Sequence, residues 1–137
     1  MNHTSPAPSA PVPVVLPPSA LRAKRESARR EREAKIAHEV QETVVRFNEC
    51  IEKNKLVFTL DGDKLPVCEV YESHDPEFTR AVLAAFHNDG YDEGWTARFR
   101  EREHGYEDDS DMRYHVEILD PDVTDPAKIT QFMSKGE

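Results

Sequence analysis

Glycine and proline are absent between Pro18 and Gly62, whereas six of the ten prolines precede Ser19. Proline lacks a backbone N–H and clashes with the preceding helical turn, so residues 1–18 cannot form a helix. We expect this Pro-rich segment to be an extended tail that becomes ordered only on a partner. The uninterrupted stretch that follows predicts a helix over about residues 20–54, with Ser19 as its N-cap.

The charge reverses sign within this predicted helix. Residues 21–35 contain seven Lys or Arg and three Glu, a net of +4, and residues 1–20 contain no charged side chain. Because the whole chain carries −9, residues 36–137 carry −13. The sequence therefore predicts three parts: the tail 1–18, a basic solvated helical arm 19–35, and one acidic domain 36–137.

Two further helices are indicated by their start signals. Asp75-Pro76 and Asp125-Pro126 each combine a capping carboxylate with a proline at the first helical position. We expect the first of these helices to end at Gly90 and the second to run through Met133. Within the long N-terminal helix, apolar residues recur every three or four positions from Ile36 to Ile51, which is typical of a helix that faces a core.

Four strands are predicted between these helices, because apolar and polar residues alternate there. They cover residues 56–60, 67–71, 95–100 and 112–118. Asp61-Gly62 predicts a turn, and Pro66 places the second strand at a sheet edge or marks its first residue. The order α-β-β-α-β-β, with a short C-terminal helix, predicts an α+β fold with two antiparallel hairpins.

The arm contains the sequence RESARR at residues 25–30. It resembles the basic region of plant-type leucine-zipper transcription factors, which forms a helix in the DNA major groove. Lys24, however, stands where that family has its base-reading Asn. The zipper leucines would fall on Gln41, Asn48 and Lys55. We therefore reject the zipper interpretation.

The cations of the arm remain candidate contacts for a partner, because they can lie near phosphates or an acidic protein surface. They are Arg22, Lys24, Arg25, Arg29, Arg30, Arg32 and Lys35. Three interpretations stay open: a protein partner, nucleic acid, or a solvated helix that binds nothing.

A second basic surface is predicted on the polar outer face of the last hairpin. If Ala97 pairs with Ile118, the candidate partner- or anion-binding residues on that face are Arg98, Arg100, Arg102 and Arg113. In this register Arg98 lies opposite Glu117, Arg100 opposite His115, and Arg102 opposite Arg113. The alternative is that Glu101, Glu103 and the acidic loop 107–111 neutralise the strip.

No residue pattern predicts a catalytic or metal centre. Cys50 and Cys68 lie on different predicted elements without CxxC spacing, which favours a reduced intracellular setting. The six histidines have no zinc-ligand spacing. The loop 107–111 has oxygen donors suited to calcium or magnesium but lacks the alternation of an EF-hand, so we favour a solvated turn. We expect no enzymatic activity, no cofactor and no bound metal.

We expect neither a secretory signal nor a membrane span. No basic residue precedes the short apolar run Val12–Leu16, and no stretch approaches the roughly 20 apolar residues that a span needs. We expect a location in a virion or in the host cytoplasm.

Residues 40–119 resemble small α+β proteins of tailed bacteriophages and large DNA viruses. The matching segments are IEKNKLVFTL, VLAAFHNDGYDEGWTARF and MRYHVEIL. This resemblance implies a virion or accessory protein and transfers no functional residues. Our leading hypothesis is a non-enzymatic structural or interaction protein, a phage virion or assembly component anchored to other protein subunits through its arm. The alternative is a small nucleic-acid-binding regulator that uses the basic helix and the outer face of the last hairpin.

Overall fold

The computed structural model describes residues 12–87, 93–105 and 111–136. Within these ranges the chain forms three helices and a four-stranded antiparallel sheet, so the expected α+β fold is confirmed. The helices are α1 (Pro18–Glu52), α2 (Pro76–His87) and α3 (Pro126–Ser134). The strands are β1 (Thr59–Leu60), β2 (Pro66–Ser73), β3 (Ala97–His104) and β4 (Asp111–Leu119). The chain divides into two units between Ala34 and Lys35, which are described in turn.

The described residues of the first unit, 12–34, are largely exposed. Residues 12–17 have no regular structure, and α1 begins at Pro18, so Ser19 lies in the first helical turn and is not the N-cap. Proline is well suited to a first helical turn, because its missing N–H would have no intrahelical partner there. The helix then continues without a break through the rest of this unit.

The second unit is built on one sheet with the strand order β1-β2-β4-β3. β2 is therefore an internal strand, and Pro66 is its first residue, opposite Leu60. The first predicted strand is regular only over Thr59–Leu60, because Leu56 and Phe58 leave the ladder and pack against the core. β3 and β4 pair in the expected register, with Ala97 opposite Ile118.

The main core lies on one face of the sheet. Its sheet side chains are the inward-facing positions of the last hairpin, including Val116 and Ile118. Phe47 of α1 and Val82 and Phe86 of α2 cover them. Phe47 meets Phe86 edge to face, with ring centroids 4.8 Å apart. Of the stripe predicted from residue 36 onward, Phe47 and Val40 contact the core, whereas Ile51 at its end is 46% exposed.

The helix starts are formed as the sequence predicts. Asp75 Oδ1 accepts a hydrogen bond from the N–H of Glu77 at 2.9 Å, and Asp125 Oδ1 accepts one from the N–H of Ala127 at 3.0 Å. These bonds satisfy N–H groups that have no partner within the helix. The predicted end of α2 at Gly90 lies outside the described residues.

A second, smaller core lies on the opposite face of the sheet. Val67 of β2 and Leu119 of β4 are its sheet positions, and Phe132 of α3 is fully buried against them together with Leu65. This face is the one that the sequence predicts to be polar and outward. The two apolar residues at its end give α3 a surface to bury, so α3 covers part of the charged strip.

No helix of the described chain is long and apolar enough to cross a membrane. Even α1, with 35 residues, contains charged side chains along its length.

We predict that Val82→Ala destabilises the fold by about 2–3 kcal/mol, because Val82 is 0% exposed and the substitution leaves a cavity. The matched control is Val45→Ala on α1, where the valine is 50% exposed. We expect that variant to stay within about 0.5 kcal/mol of the parent. Urea denaturation followed by circular dichroism measures both, and equal effects would contradict the assigned core.

Candidate functional site

The end of the tail exposes an apolar segment shortly before α1. Val12, Val14, Val15 and Leu16 are 77–91% exposed, and the backbone of this segment has no regular structure. Single exposed aliphatic residues are ordinary, but four within five positions form a contiguous apolar surface. Such a surface is typical of a site that a partner covers.

The helical part of the arm is stabilised by ion pairs within itself. Arg29 lies 2.6 Å from Glu26 and 2.7 Å from Glu33, and Arg30 lies 3.1 Å from Glu26. The hydrogen bond from Arg29 lowers the pKa of the Glu26 carboxyl. These pairs join residues three or four positions apart, which are neighbours on a helix surface. They compensate the charge of the second half of the arm.

The other cations of the arm are placed differently. Arg22, Lys24, Arg25 and Lys35 are exposed, and they form no ion pair with any residue that the structure describes. The uncompensated positive charge is therefore concentrated in the first two turns of α1, directly after the apolar segment. Arg32 has a further electrostatic or hydrogen-bonding contact of its own.

Arg98 of the hairpin strip is not available to a partner. It is 1% exposed, beneath α3, although the sequence places it on the outward face. Its Nε donates to Glu117 Oε1 at 2.9 Å, and its Nη1 donates to the Phe132 carbonyl oxygen at 3.0 Å. The guanidinium also stacks over the Phe132 ring, 4.1 Å from its centroid. Arg98 is therefore an internal cation that holds α3 to the sheet.

The remaining arginines of the strip also contact carboxylates. Glu117, itself 4% exposed, lies 3.2 Å from Arg102 and 3.8 Å from Arg100. Arg113 donates to Glu72 at 2.5 Å and to Asp111 at 3.1 Å. Each of the four arginines thus has at least one acidic neighbour within 4 Å, and the strip as a whole has little uncompensated charge.

The neutralising residues differ in part from those that the sequence indicates. Asp111 belongs to the loop 107–111 that we expected to contribute, and residues 107–110 lie outside the described residues. Glu101 and Glu103 are exposed and form no ion pair within the described ranges. Glu117, on the buried strand itself, is the carboxylate that contacts three of the four arginines, and Asp61, Glu72 and Asp111 supply the remaining negative charge.

Asp61 brings a second carboxylate to Arg98 from the other hairpin. Its Oδ2 accepts from Arg98 Nη2 at 3.4 Å, and its Oδ1 accepts from the N–H groups of Asp63 and Leu65, which confirms the predicted turn. Burial opposes the ionisation of Asp61. The hydrogen bonds from Leu65 and Asp63 and the charge of Arg98 outweigh burial, so the pKa of Asp61 lies below its ordinary value.

A cluster that the sequence did not reveal lies next to this network. Glu69 and Glu72 of β2 meet His115 of β4 on the same face of the sheet. Residues three apart on a regular strand point to opposite faces, but the register shifts between Glu69 and Tyr71, which brings both carboxylates to one side. The adjacent apolar pair Val70-Tyr71 interrupts the alternation and is the sequence signal of this bulge.

The two cysteines also come together, although they lie on different elements. Cys50 near the end of α1 and Cys68 on β2 both line a cavity of about 300 Å³. Both thiols are free. Burial, and to a smaller extent the neighbouring Cys50, raise the pKa of the Cys68 thiol, so this thiol is protonated at neutral pH. Helix packing on the sheet creates this neighbourhood, and no local spacing predicts it.

Comparison with protein-family models, curated proteins and solved structures finds no match for this chain. The resemblance of residues 40–119 to small phage and viral proteins therefore stays a prediction. The same holds for the expected absence of enzymatic activity and for the partner of the arm.

We predict that Arg98→Met destabilises the protein by about 3–5 kcal/mol, because it leaves the Glu117 carboxylate buried without its main partner. Arg102→Met is the matched control: the same carboxylate loses a partner whose side chain is 45% exposed. We expect that loss to stay within about 1 kcal/mol.

Urea denaturation measures both Arg98→Met and Arg102→Met. The double variant Arg98→Met/Glu117→Gln should regain part of the stability that Arg98→Met loses, because it no longer buries an unpaired charge. If the double variant is no more stable than Arg98→Met, the pair is not the main electrostatic contact of the second core.

We predict that part of the stability depends on pH through Asp61. Its pKa is lower in the folded than in the unfolded protein, so it stabilises the fold above the unfolded pKa of about 3.9. This contribution is lost as the pH falls through the folded pKa. Asp61→Asn should therefore be destabilising at pH 7, and its difference from the parent should shrink below about pH 4.

Urea midpoints of the parent and Asp61→Asn between pH 2 and pH 7 test the dependence on Asp61. The exposed Asp122→Asn serves as the control and should follow the parent at every pH. An Asp61→Asn difference that is constant over this range would rule out a depressed pKa at Asp61.

Proposed function

We propose that this protein is a non-enzymatic structural or assembly protein, of the kind found in phage virions, that attaches to a protein partner through residues 12–35. The observation that supports this most is the exposed apolar segment Val12–Leu16, followed at once by uncompensated cations. An apolar run beside positive charge suits a partner groove whose rim carries carboxylates.

The distribution of charge supports a protein partner over nucleic acid. The domain that follows the arm carries −13, and the arginines of its last hairpin are compensated by Glu117, Glu72 and Asp111. A nucleic-acid-binding surface needs positive charge that stays uncompensated near the phosphates. Among the cations that the sequence singles out in the arm and the hairpin, those without an ion pair to a described residue are Lys35 and a group in the first turns of α1.

The attachment is tested with full-length variants of the arm. One variant replaces Arg22, Lys24 and Arg25 with Glu, and another replaces Val14, Val15 and Leu16 with Asp. The matched control replaces Lys53, Lys64 and Lys128 with Glu, which makes the same charge change at exposed positions of the second unit. Circular dichroism verifies that every variant retains the helical content of the parent.

We predict that the tagged parent, expressed in its native source, sediments with a larger particle in a density gradient. Both arm variants should remain near the top of the gradient as free chains, whereas the lysine control should sediment with the particle. The physical reason is that the arm variants remove the apolar contact or reverse the local charge. Arm variants that sediment like the parent would exclude the arm as the attachment site.

A binding assay with purified protein distinguishes the nucleic-acid alternative. Fluorescence anisotropy with duplex DNA and with single-stranded RNA should show no binding that depends on Arg22, Lys24 and Arg25. Binding that weakens steeply between 50 and 200 mM salt and is lost in the arm-charge variant would replace our proposal with a nucleic-acid-binding function.

A further inference from the structure

The cluster of Glu69, Glu72 and His115 joins the two central strands. His115 lies directly opposite Glu72 in the β2–β4 register, and the bulge after Glu69 turns that carboxylate to the same face. One ligand atom from each of the three side chains lies within 4.8 Å of the other two. The side chain of His115 is 3% exposed, whereas Glu69 is 43% and Glu72 is 33% exposed.

The donor set has a definite metal preference. One imidazole nitrogen with two carboxylate oxygens suits zinc and its neighbours in the first transition row, whereas calcium and magnesium prefer oxygen ligands alone. Three protein ligands are typical of a zinc ion that keeps a fourth position for water. The cluster therefore contains both the types and the number of ligands that such an ion takes.

The distances are close to those of a metal site. Zinc bonds of about 2.0–2.1 Å place tetrahedral ligand atoms about 3.3 Å apart. The widest separation here, within 4.8 Å, therefore has to shorten by about 1.5 Å at most. His115 is fixed by burial, and its Nδ1 already contacts Glu69 Oε1 directly, so an ion bound there would replace this contact and separate the two atoms. The two glutamates have long, partly exposed side chains that can turn to make room for the ion.

The surroundings would hold the ligands in place. Arg113 donates to Glu72, and Asp111 in turn accepts from Arg113 at 3.1 Å. Outer contacts of this kind orient metal-binding carboxylates. Arg100 and Arg102 pair with Glu117 instead. Glu117 lies 3.8 Å from Arg100 and 3.2 Å from Arg102. The repulsion that these cations would exert on a metal ion is reduced accordingly.

We propose that Glu69, Glu72 and His115 form a binding site for one divalent transition-metal ion, with zinc as the best match. The ion would link β2 to β4 through side chains, in addition to the backbone hydrogen bonds of the ladder. Its direct consequence is a protein that is more stable with metal than without. This proposal is independent of the attachment through the arm.

The test uses the full-length protein after treatment with a chelator and dialysis. Isothermal titration with zinc should show one ion per chain, and the melting temperature should rise with zinc concentration. Cobalt(II), a spectroscopic substitute for zinc, should give visible absorption bands of a four- or five-coordinate ion. Calcium and magnesium should give neither heat nor stabilisation.

Variants identify the ligands. Glu69→Gln and Glu72→Gln change partly exposed side chains, so both should fold, and each should weaken zinc binding at least tenfold and alter the cobalt bands. His115→Gln should do the same where it folds. Glu103→Gln on the same hairpin and His38→Gln, an exposed histidine on α1, are matched controls that should bind zinc like the parent.

Two results would overturn the proposal. The first is no binding at 100 μM zinc at pH 7.5, and the second is binding that both Glu69→Gln and Glu72→Gln leave unchanged. The double variant Cys50→Ser/Cys68→Ser tests whether zinc binds to the two cysteine thiols instead, because both thiols line one cavity. Zinc binding that is lost in this variant alone would assign the ion to the cysteines and not to the proposed cluster.

Discussion

Arg98 of the edge strand β3 lies opposite Glu117 of β4, and both are almost completely buried. Removing two such charges from water costs several kcal/mol per ion, so the pair is tolerable only when each partner is well hydrogen-bonded. Arg98 meets this requirement with Glu117, Asp61 and the Phe132 carbonyl. These contacts come from β4, from the turn after β1 and from α3, so one side chain holds three separate parts of the domain together.

The same pair explains why the sheet face is charged and yet compensated. Glu117 is shared by Arg98, Arg100 and Arg102, and the excess positive charge is balanced further along by Asp61, Glu72 and Asp111. An unpaired charge beneath α3 would be expelled or would displace the helix. A face built this way is suited to internal structure. Of the two predicted basic surfaces, the arm is therefore the one that keeps cations without an ion pair to a described residue.

The sequence predicts those features that depend on neighbouring residues. Alternation sets the register of the last hairpin, and Asp-Pro pairs set the starts of α2 and α3, because a strand period and a helix cap are local properties. The burial of Arg98 depends on α3, which is 28 residues further along the chain. The meeting of His115 with Glu69 and Glu72 depends on a bulge and on the β2–β4 crossover. Such contacts follow from topology, which residue spacing does not encode.

The proposed attachment segment, residues 12–35, combines the helical arm with the irregular end of the tail, and this division bears on how it can bind. Fixing one residue of disordered backbone costs about 1–2 kcal/mol, so a partner that had to order the whole arm would need a large interface. α1 already holds the arm cations on a helix from Pro18 onward. Within this helix Arg29 forms ion pairs with Glu26 and Glu33. Within residues 12–35, only 12–17 lack regular structure. Binding therefore has to order mainly the short apolar segment. Burial of its aliphatic side chains in a partner groove can offset the loss of conformational entropy on ordering.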